Sequence, residues 1–197
     1  MSQIFRPSSN RYSKLSLISV VLILIFMSIS SYAYFQSSYY NDVGVFIEQP
    51  IPFSHKNHVQ GLGLNCVFCH TSVEKSATAG IPSTEVCMSC HSQIYQKSQV
   101  LKPLRDSFEN NTAIKWNRVH KLPDYVYFNH SIHINKDISC FTCHGDVKEM
   151  ESISKQRPMT MSWCLRCHSH PEKYINPEVN EVNIDRAQLT NCYTCHR

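Results

Sequence analysis

All ten cysteines of this 197-residue chain fall in one pattern, C-x-x-C-H, which occurs five times. The copies are Cys66/Cys69/His70, Cys87/Cys90/His91, Cys140/Cys143/His144, Cys164/Cys167/His168 and Cys192/Cys195/His196. This is the attachment signature of c-type haem. Two thiols three residues apart on one turn can each form a thioether to the two vinyl groups of one haem, and the adjacent His can bind the iron from the proximal side. Other uses of paired thiols fit less well. Four C-x-x-C pairs would satisfy two zinc ions, but a fifth would be stranded, and neither zinc ribbons nor redox dithiols need a His after every pair. Disulfides within each pair leave the histidines unexplained. With 11 His in 197 residues, chance would place one after all five pairs with odds of about 5 in 10 million. The expected cofactors are five covalently bound haems c.

The rest of the composition agrees with an interior filled by something other than aliphatic side chains. Residues 15–35 hold 16 of the apolar residues, and the 162 residues that follow contain only seven leucines. Disordered, coiled-coil and collagen-like classes are excluded by composition. The net charge of +4 comes largely from Arg6, Arg11 and Lys14, because residues 36–197 carry 16 bases and 15 acids. Without a basic run or a recognition motif, nucleic acid is not an expected partner.

Residues 15–35 are mostly apolar, and no charge occurs from Leu15 to Asn41. A helix of about 20 residues crosses a bilayer. The basic flank places residues 1–14 in the cytoplasm, and Tyr32, Tyr34, Phe35, Tyr39 and Tyr40 mark the far interface. The alternative is a cleaved signal peptide ending near Ser31-Tyr32-Ala33, whose apolar core Leu17–Met27 has a suitable length. We favour a retained anchor over residues 15–35, single-pass in the inner membrane. Either way residues 36–197 reach the periplasmic side.

That exported part contains a duplication. Phe53-x-His55-x-x-His58 recurs as Phe128-x-His130-x-x-His133 at an offset of 75 residues, Cys66 and Cys140 are offset by 74, and Cys87 and Cys164 by 77. The repeat units span about 52–91 and 127–168, and the fifth motif at 192–196 has no counterpart. A fixed period of this kind marks a repeated structural unit. Prolines 82, 103, 123, 158, 171 and 177 break the intervening sequence. The pattern predicts a mainly irregular chain with short α-helices, among them Val86–Gln99 and Trp163–His170, and no strand of any length. The fold expected is a multihaem cytochrome c wrapped around its haems, plus one N-terminal transmembrane helix.

Five haems have five distal positions, and six histidines lie outside the motifs: His55, His58, His120, His130, His133 and His170. Each F-x-H-x-x-H places two imidazoles on one helical face, where they can reach two different rings. His120, in Trp116-Asn-Arg-Val-His-Lys-Leu-Pro, is the fifth candidate. His170 follows His168 by two residues and precedes Pro171, so a surface or supporting place suits it better. Met159 and Met161 read as packing residues, with a Met ligand to one haem the alternative. Iron with both axial positions filled has no open site. The chain then carries electrons and has no catalytic residues of its own.

Two stretches carry a family resemblance: C-H-T-S-V-E-K-S-A-T-A-G-I-P-S-T-E-V-C-M-S-C-H over 69–91 and K-W-N-R-V-H-K-L-P-D-Y-V-Y-F-N-H-S-I-H over 115–133. They resemble the pentahaem membrane-anchored cytochrome c subunit of alternative complex III, over about residues 46–197 and the anchor. The F-x-H-x-x-H arrangement is also similar to that of class III multihaem cytochromes. That likeness implies that His55 serves the first haem, His58 a later one and His130 the haem at Cys140; the remaining pairings stay open. The family has no His expected at position 170. The resemblance further implies a hetero-oligomeric respiratory complex that oxidises quinol. Its partners would be an iron–sulfur subunit related to molybdopterin enzymes, polysulfide-reductase-type membrane subunits and a monohaem cytochrome c, with a terminal oxidase beyond.

Two other classes compete. One is a self-sufficient membrane-anchored quinol dehydrogenase feeding a periplasmic reductase, which an unusual haem ligand beside the membrane would favour. The other is an enzyme reducing a small nitrogen or sulfur compound, which needs one iron with an open distal side. Because ten thiols divide into five complete motifs, pyridine haemochrome analysis of the mature protein should give five haems per chain. A ratio of three or fewer would contradict the reading.

Overall fold

The computed structural model describes residues 6–175 and 185–196. The first five residues of the basic flank, and Pro177, lie outside them. The chain divides into two units, Met1–Asp42 and Val43–Arg197.

The first unit is one long helix, α1 (Pro7–Gln36), followed by the single turn α2 (Ser38–Asn41). Helix α1 begins on a proline, whose missing N–H costs nothing in the first turn. It ends where Ser37 turns to an extended conformation and its N–H bonds the Tyr34 carbonyl. Its 30 residues span about 45 Å, against about 30 Å for the hydrocarbon layer of a bilayer. The apolar run of residues 15–35 thus sits inside a longer helix. Two of the serines within that run suit an apolar setting because the helix itself satisfies them. Ser28 Oγ donates to the Leu24 carbonyl at 2.8 Å and Ser16 Oγ to that of Ser13 at 2.9 Å, the back-bonding expected of hydroxyls in a helix. At the C-terminal end Phe35 meets Tyr40 edge-on at 4.8 Å, and Tyr34 lies 5.6 Å from the Tyr40 ring. Among the described residues α1 is long and apolar enough to cross a membrane.

The second unit is built from short pieces: a π-helical turn (Lys56–Gly61), then α3 (Cys66–Cys69), α4 (Thr84–His91) and a 3-10 turn (Gln99–Leu101). After them come α5 (Lys102–Glu109), α6 (His130–Ile134), α7 (Cys140–His144) and α8 (Met161–Ser169). The unit closes with α9 (Arg186–Leu189) and α10 (Cys192–Cys195). The helix expected over Val86–Gln99 is only half present. α4 stops at His91, and Tyr95 takes a left-handed conformation with φ 55°, which few non-glycine residues sustain inside a helix. Pro103, read as a loop marker, instead occupies the first turn of α5. The helix expected over Trp163–His170 is α8, shifted two residues earlier because the Thr160 side chain caps it at the Trp163 N–H.

Sheet structure among the described residues is confined to two isolated bridges, Val43 with Lys155 and Phe46 with Ser154. These tie the start of the unit to the segment before α8. Its buried hydrophobic side chains are Ile51, Val73 and Leu104, and Ser154 and Lys155 are buried as well. Aliphatic packing of that extent is far too small to hold some 150 residues together. If α1 is a retained anchor, carbonate-washed membranes should keep the protein with residues 15–35 intact on N-terminal sequencing. A soluble mature chain beginning near residue 34 would show cleavage instead.

Candidate functional site

Three of the C-x-x-C-H motifs start a short helix and the other two lie within α4 and α8, and in four of the five the chain supplies a side-chain cap. Asn65, Ser139 and Asn191 directly precede the first cysteine and accept from the N–H two residues on, of Val67, Phe141 and Tyr193 respectively. Thr160 caps the fourth from further upstream. Such caps satisfy helix N–H groups that would otherwise lack partners, and they force the one turn that brings two cysteines to the same side. This Asn/Ser-Cys signature was present in the sequence but carried no weight there. The ten thiols are free, eight of them half-buried and Cys90 and Cys192 exposed. Burial raises the thiols of Cys69, Cys87, Cys140, Cys164 and Cys167, and pushes Cys143 up to about 11. Among the described residues no group of three or more His, Cys, Asp or Glu is set to hold a metal ion.

The histidines are oriented by backbone carbonyls. Among the motif residues, Nδ1 of His70 lies 2.7 Å from the Gly80 oxygen, that of His91 3.4 Å from Ile94, that of His168 3.0 Å from Leu189 and that of His196 3.1 Å from Tyr125. Outside the motifs, Nδ1 of His58, His130 and His133 lies 2.8 Å from the oxygens of Ser54, Ala77 and Asn129. A carbonyl can only accept, so Nδ1 carries the proton and Nε2 keeps its lone pair for a metal. Fixing the far nitrogen in this way sets both tautomer and ring direction.

Those rings meet in pairs. His58 and His91 have centroids 6.1 Å apart, His133 and His168 6.1 Å, and His130 and His144 6.4 Å with planes only 6° from parallel. An imidazole–metal bond is about 2 Å and the ring centroid lies about 1 Å further, so two imidazoles on opposite sides of one metal sit about 6 Å apart. The three spacings fit an iron between each pair. The phenylalanine of F-x-H-x-x-H, unassigned in the sequence, holds both rings. Phe53 meets His55 edge-on at 4.9 Å and stacks on His58 at 4.5 Å; Phe128 meets His130 edge-on at 4.7 Å and lies over His133 at 4.6 Å. The two repeats therefore share a three-ring arrangement.

His55 lies close to His70. Burial first, and then the neighbouring His70, lower His55 to about 4. Burial lowers His144 to about 4 as well, and lowers His120 and His133. These imidazoles stay neutral at physiological pH, the state a metal ligand requires. His55 Nδ1 and His120 Nε2 are buried without a hydrogen-bond partner. His120 sits edge-on against His144 at 4.5 Å, too close for an iron between those two rings. The ring neighbour of His196 is Tyr125, at 5.9 Å; the structure does not bring His120 to that ring. His170 is exposed and 3.5 Å from Glu172, and Met161 is exposed too. Gly80, which provides the carbonyl for His70, has φ 74°, and a Cβ there would lie 2.8 Å from Ser72 Oγ.

The chain has known relatives. A family model described as "Cytochrome c7 and related cytochrome c" matches residues 51–111 and 126–197. The chain is also 30% identical over 173 residues to the multiheme cytochrome c subunit of menaquinone reductase from Nitratidesulfovibrio vulgaris (strain Hildenborough), covering 76% of this chain and 77% of the relative. The geometry predicts the consequence of removing single ligands. His58→Ala and His133→Ala should each convert one haem to the high-spin state in the electronic and EPR spectra. His170→Ala should leave the spectrum unchanged. Unchanged low-spin spectra in the first two would contradict the pairing.

Proposed function

Because the chain belongs to the family of cytochrome c7 and related cytochromes c, and so is an electron-transferring multihaem cytochrome with covalent haem c, we propose that it carries five such haems as the cytochrome subunit of a membrane quinol-oxidising complex resembling alternative complex III. The observation that carries the reading is the set of facing imidazoles 6.1 to 6.4 Å apart. Imidazoles on both sides of a bound haem would leave no room there for a substrate, so the chain's task would be to relay electrons between other proteins.

In this reading the cysteine pairs 66/69, 87/90, 140/143, 164/167 and 192/195 hold the five groups, and His70, His91, His144, His168 and His196 are the proximal ligands. Haem c supplies one-electron chemistry when bound. The chain's own residues supply the rest. His58 pairs with His91, His130 with His144 and His133 with His168, and His55 serves His70 by the symmetry of the repeat. His120 is the fifth candidate ligand on the strength of its buried, unpartnered Nε2. Gly80, Leu189 and the other carbonyls hold the imidazoles in the ligating tautomer, and Phe53 and Phe128 each pack against both histidines of their own segment. Bis-His ligation holds potentials below those of His/Met haems.

Helix α1 keeps the cytochrome unit at the inner membrane with its haem sites on the periplasmic side. The partners proposed are an iron–sulfur subunit related to molybdopterin enzymes, polysulfide-reductase-type membrane subunits and a monohaem cytochrome c that passes electrons to a terminal oxidase. The menaquinone reductase relative favours a second reading, in which electrons enter from the periplasm and reduce quinone; the same ligand set serves both directions. Purified alone in detergent, the chain should show no quinol-dependent haem reduction, while the assembled complex should. Rapid reduction of the isolated chain would instead identify a self-sufficient quinol dehydrogenase. Reduction of quinone by the complex, with no quinol oxidation, would decide for the second direction.

A further inference from the structure

We propose that the five haem sites form one unbranched line in the order second, first, third, fourth, fifth, so that the second and fifth motifs are its two ends. This inference rests on the five-haem reading above. It differs from the order of the motifs along the chain, and each joint stands on separate contacts.

The second and first sites are joined through one short segment. His58 faces His91 of the second motif at 6.1 Å, while His55, three residues earlier, holds the place in its repeat that His130, which faces His144 of the third motif at 6.4 Å, holds in the other. The first and third sites are joined where α6 docks on the loop that follows the first motif. His130 N–H donates to the Ala77 carbonyl at 3.2 Å, Ser131 N–H to that of Ser76 at 3.2 Å, and His130 Nδ1 to Ala77 again at 2.8 Å.

The third and fourth sites share α6 as the first two share theirs. His130 faces His144 at 6.4 Å, and His133 faces His168 at 6.1 Å. The fourth and fifth sites meet where His168 Nδ1 bonds the Leu189 carbonyl at 3.0 Å, in the helix that leads into the fifth motif.

The two repeat units are therefore joined through their first motifs, and the fifth site extends the second unit. Exposure supports these ends independently. The exposed thiols are Cys90 and Cys192, one in the second motif and one in the fifth, whereas the eight others are half-buried. An exposed tyrosine also flanks the proximal ring at each end: Tyr95 is 6.4 Å from His91, and Tyr125 is 5.9 Å from His196. Electrons then enter and leave at the second and fifth sites, and the three inner ones are spacers between them.

Diffraction at the iron absorption edge, from crystals of the full-length holo-protein grown in detergent, tests this. Five iron positions are expected, each assignable to its C-x-x-C-H, with nearest neighbours in the order second–first–third–fourth–fifth. Five irons in a branched arrangement, or in a line ending at the first or third motif, would overturn the order and leave the five-haem reading standing. Fewer than five irons, or irons outside the facing imidazoles, would overturn that reading and the order with it.

Discussion

The interaction on which this structure depends is the bond from a histidine Nδ1 to a backbone carbonyl. It recurs at His58, His70, His91, His130, His133, His168 and His196, over 2.7 to 3.4 Å. Each bond points an Nε2 lone pair in a fixed direction, and in two facing pairs, His58 with His91 and His133 with His168, the partner is pointed back by its own carbonyl. Loss of such a supporting bond typically weakens a metal site by about 10- to 100-fold. Several of the carbonyls come from distant parts of the chain: Tyr125 supports His196, and Ala77 supports His130. The same bonds that aim the imidazoles thus tie one segment to another, and ligand geometry and tertiary structure are a single problem.

That coupling explains how a chain so poor in aliphatic packing can have a defined fold. Buried hydrophobic residues amount to Ile51, Val73 and Leu104 among the described residues, and its helices outside the membrane candidate run from four to nine residues. Isolated helices that short are marginal in water. Covalent attachment of large apolar rings supplies the missing interior and couples metal binding to folding. The repeat extends the principle, because each F-x-H-x-x-H segment packs two imidazoles against one phenylalanine.

Much of this was legible in the sequence because the chemistry is local. Two thiols and a His must lie within five residues, so every C-x-x-C-H could be read directly, and so could the duplicated F-x-H-x-x-H. What could not be read depends on contacts distant in sequence. That His58 faces His91, and His133 faces His168, follows from how loops of irregular backbone return on themselves, and no periodicity encodes that. The phenylalanines were visible but have no role until both histidines are seen against one ring. The α4 boundary was missed because nothing local announces the positive φ at Tyr95. α5 was missed because a proline marks a helix start as readily as a break. His120 was expected in the distal set from its apolar sequence neighbours as well as from the count of five, but its place against His144 is set by contacts distant in sequence that neither signal encodes.

If bound haem is the interior of this protein, the cytochrome unit without haem has no stable fold. The most direct measurement is thermal unfolding, followed by near-ultraviolet circular dichroism, of residues 43–197 produced with and without haem attachment. The account predicts a cooperative transition for the haem-loaded form, and for the haem-free chain a featureless spectrum with no transition. A cooperative transition in the haem-free chain would contradict it.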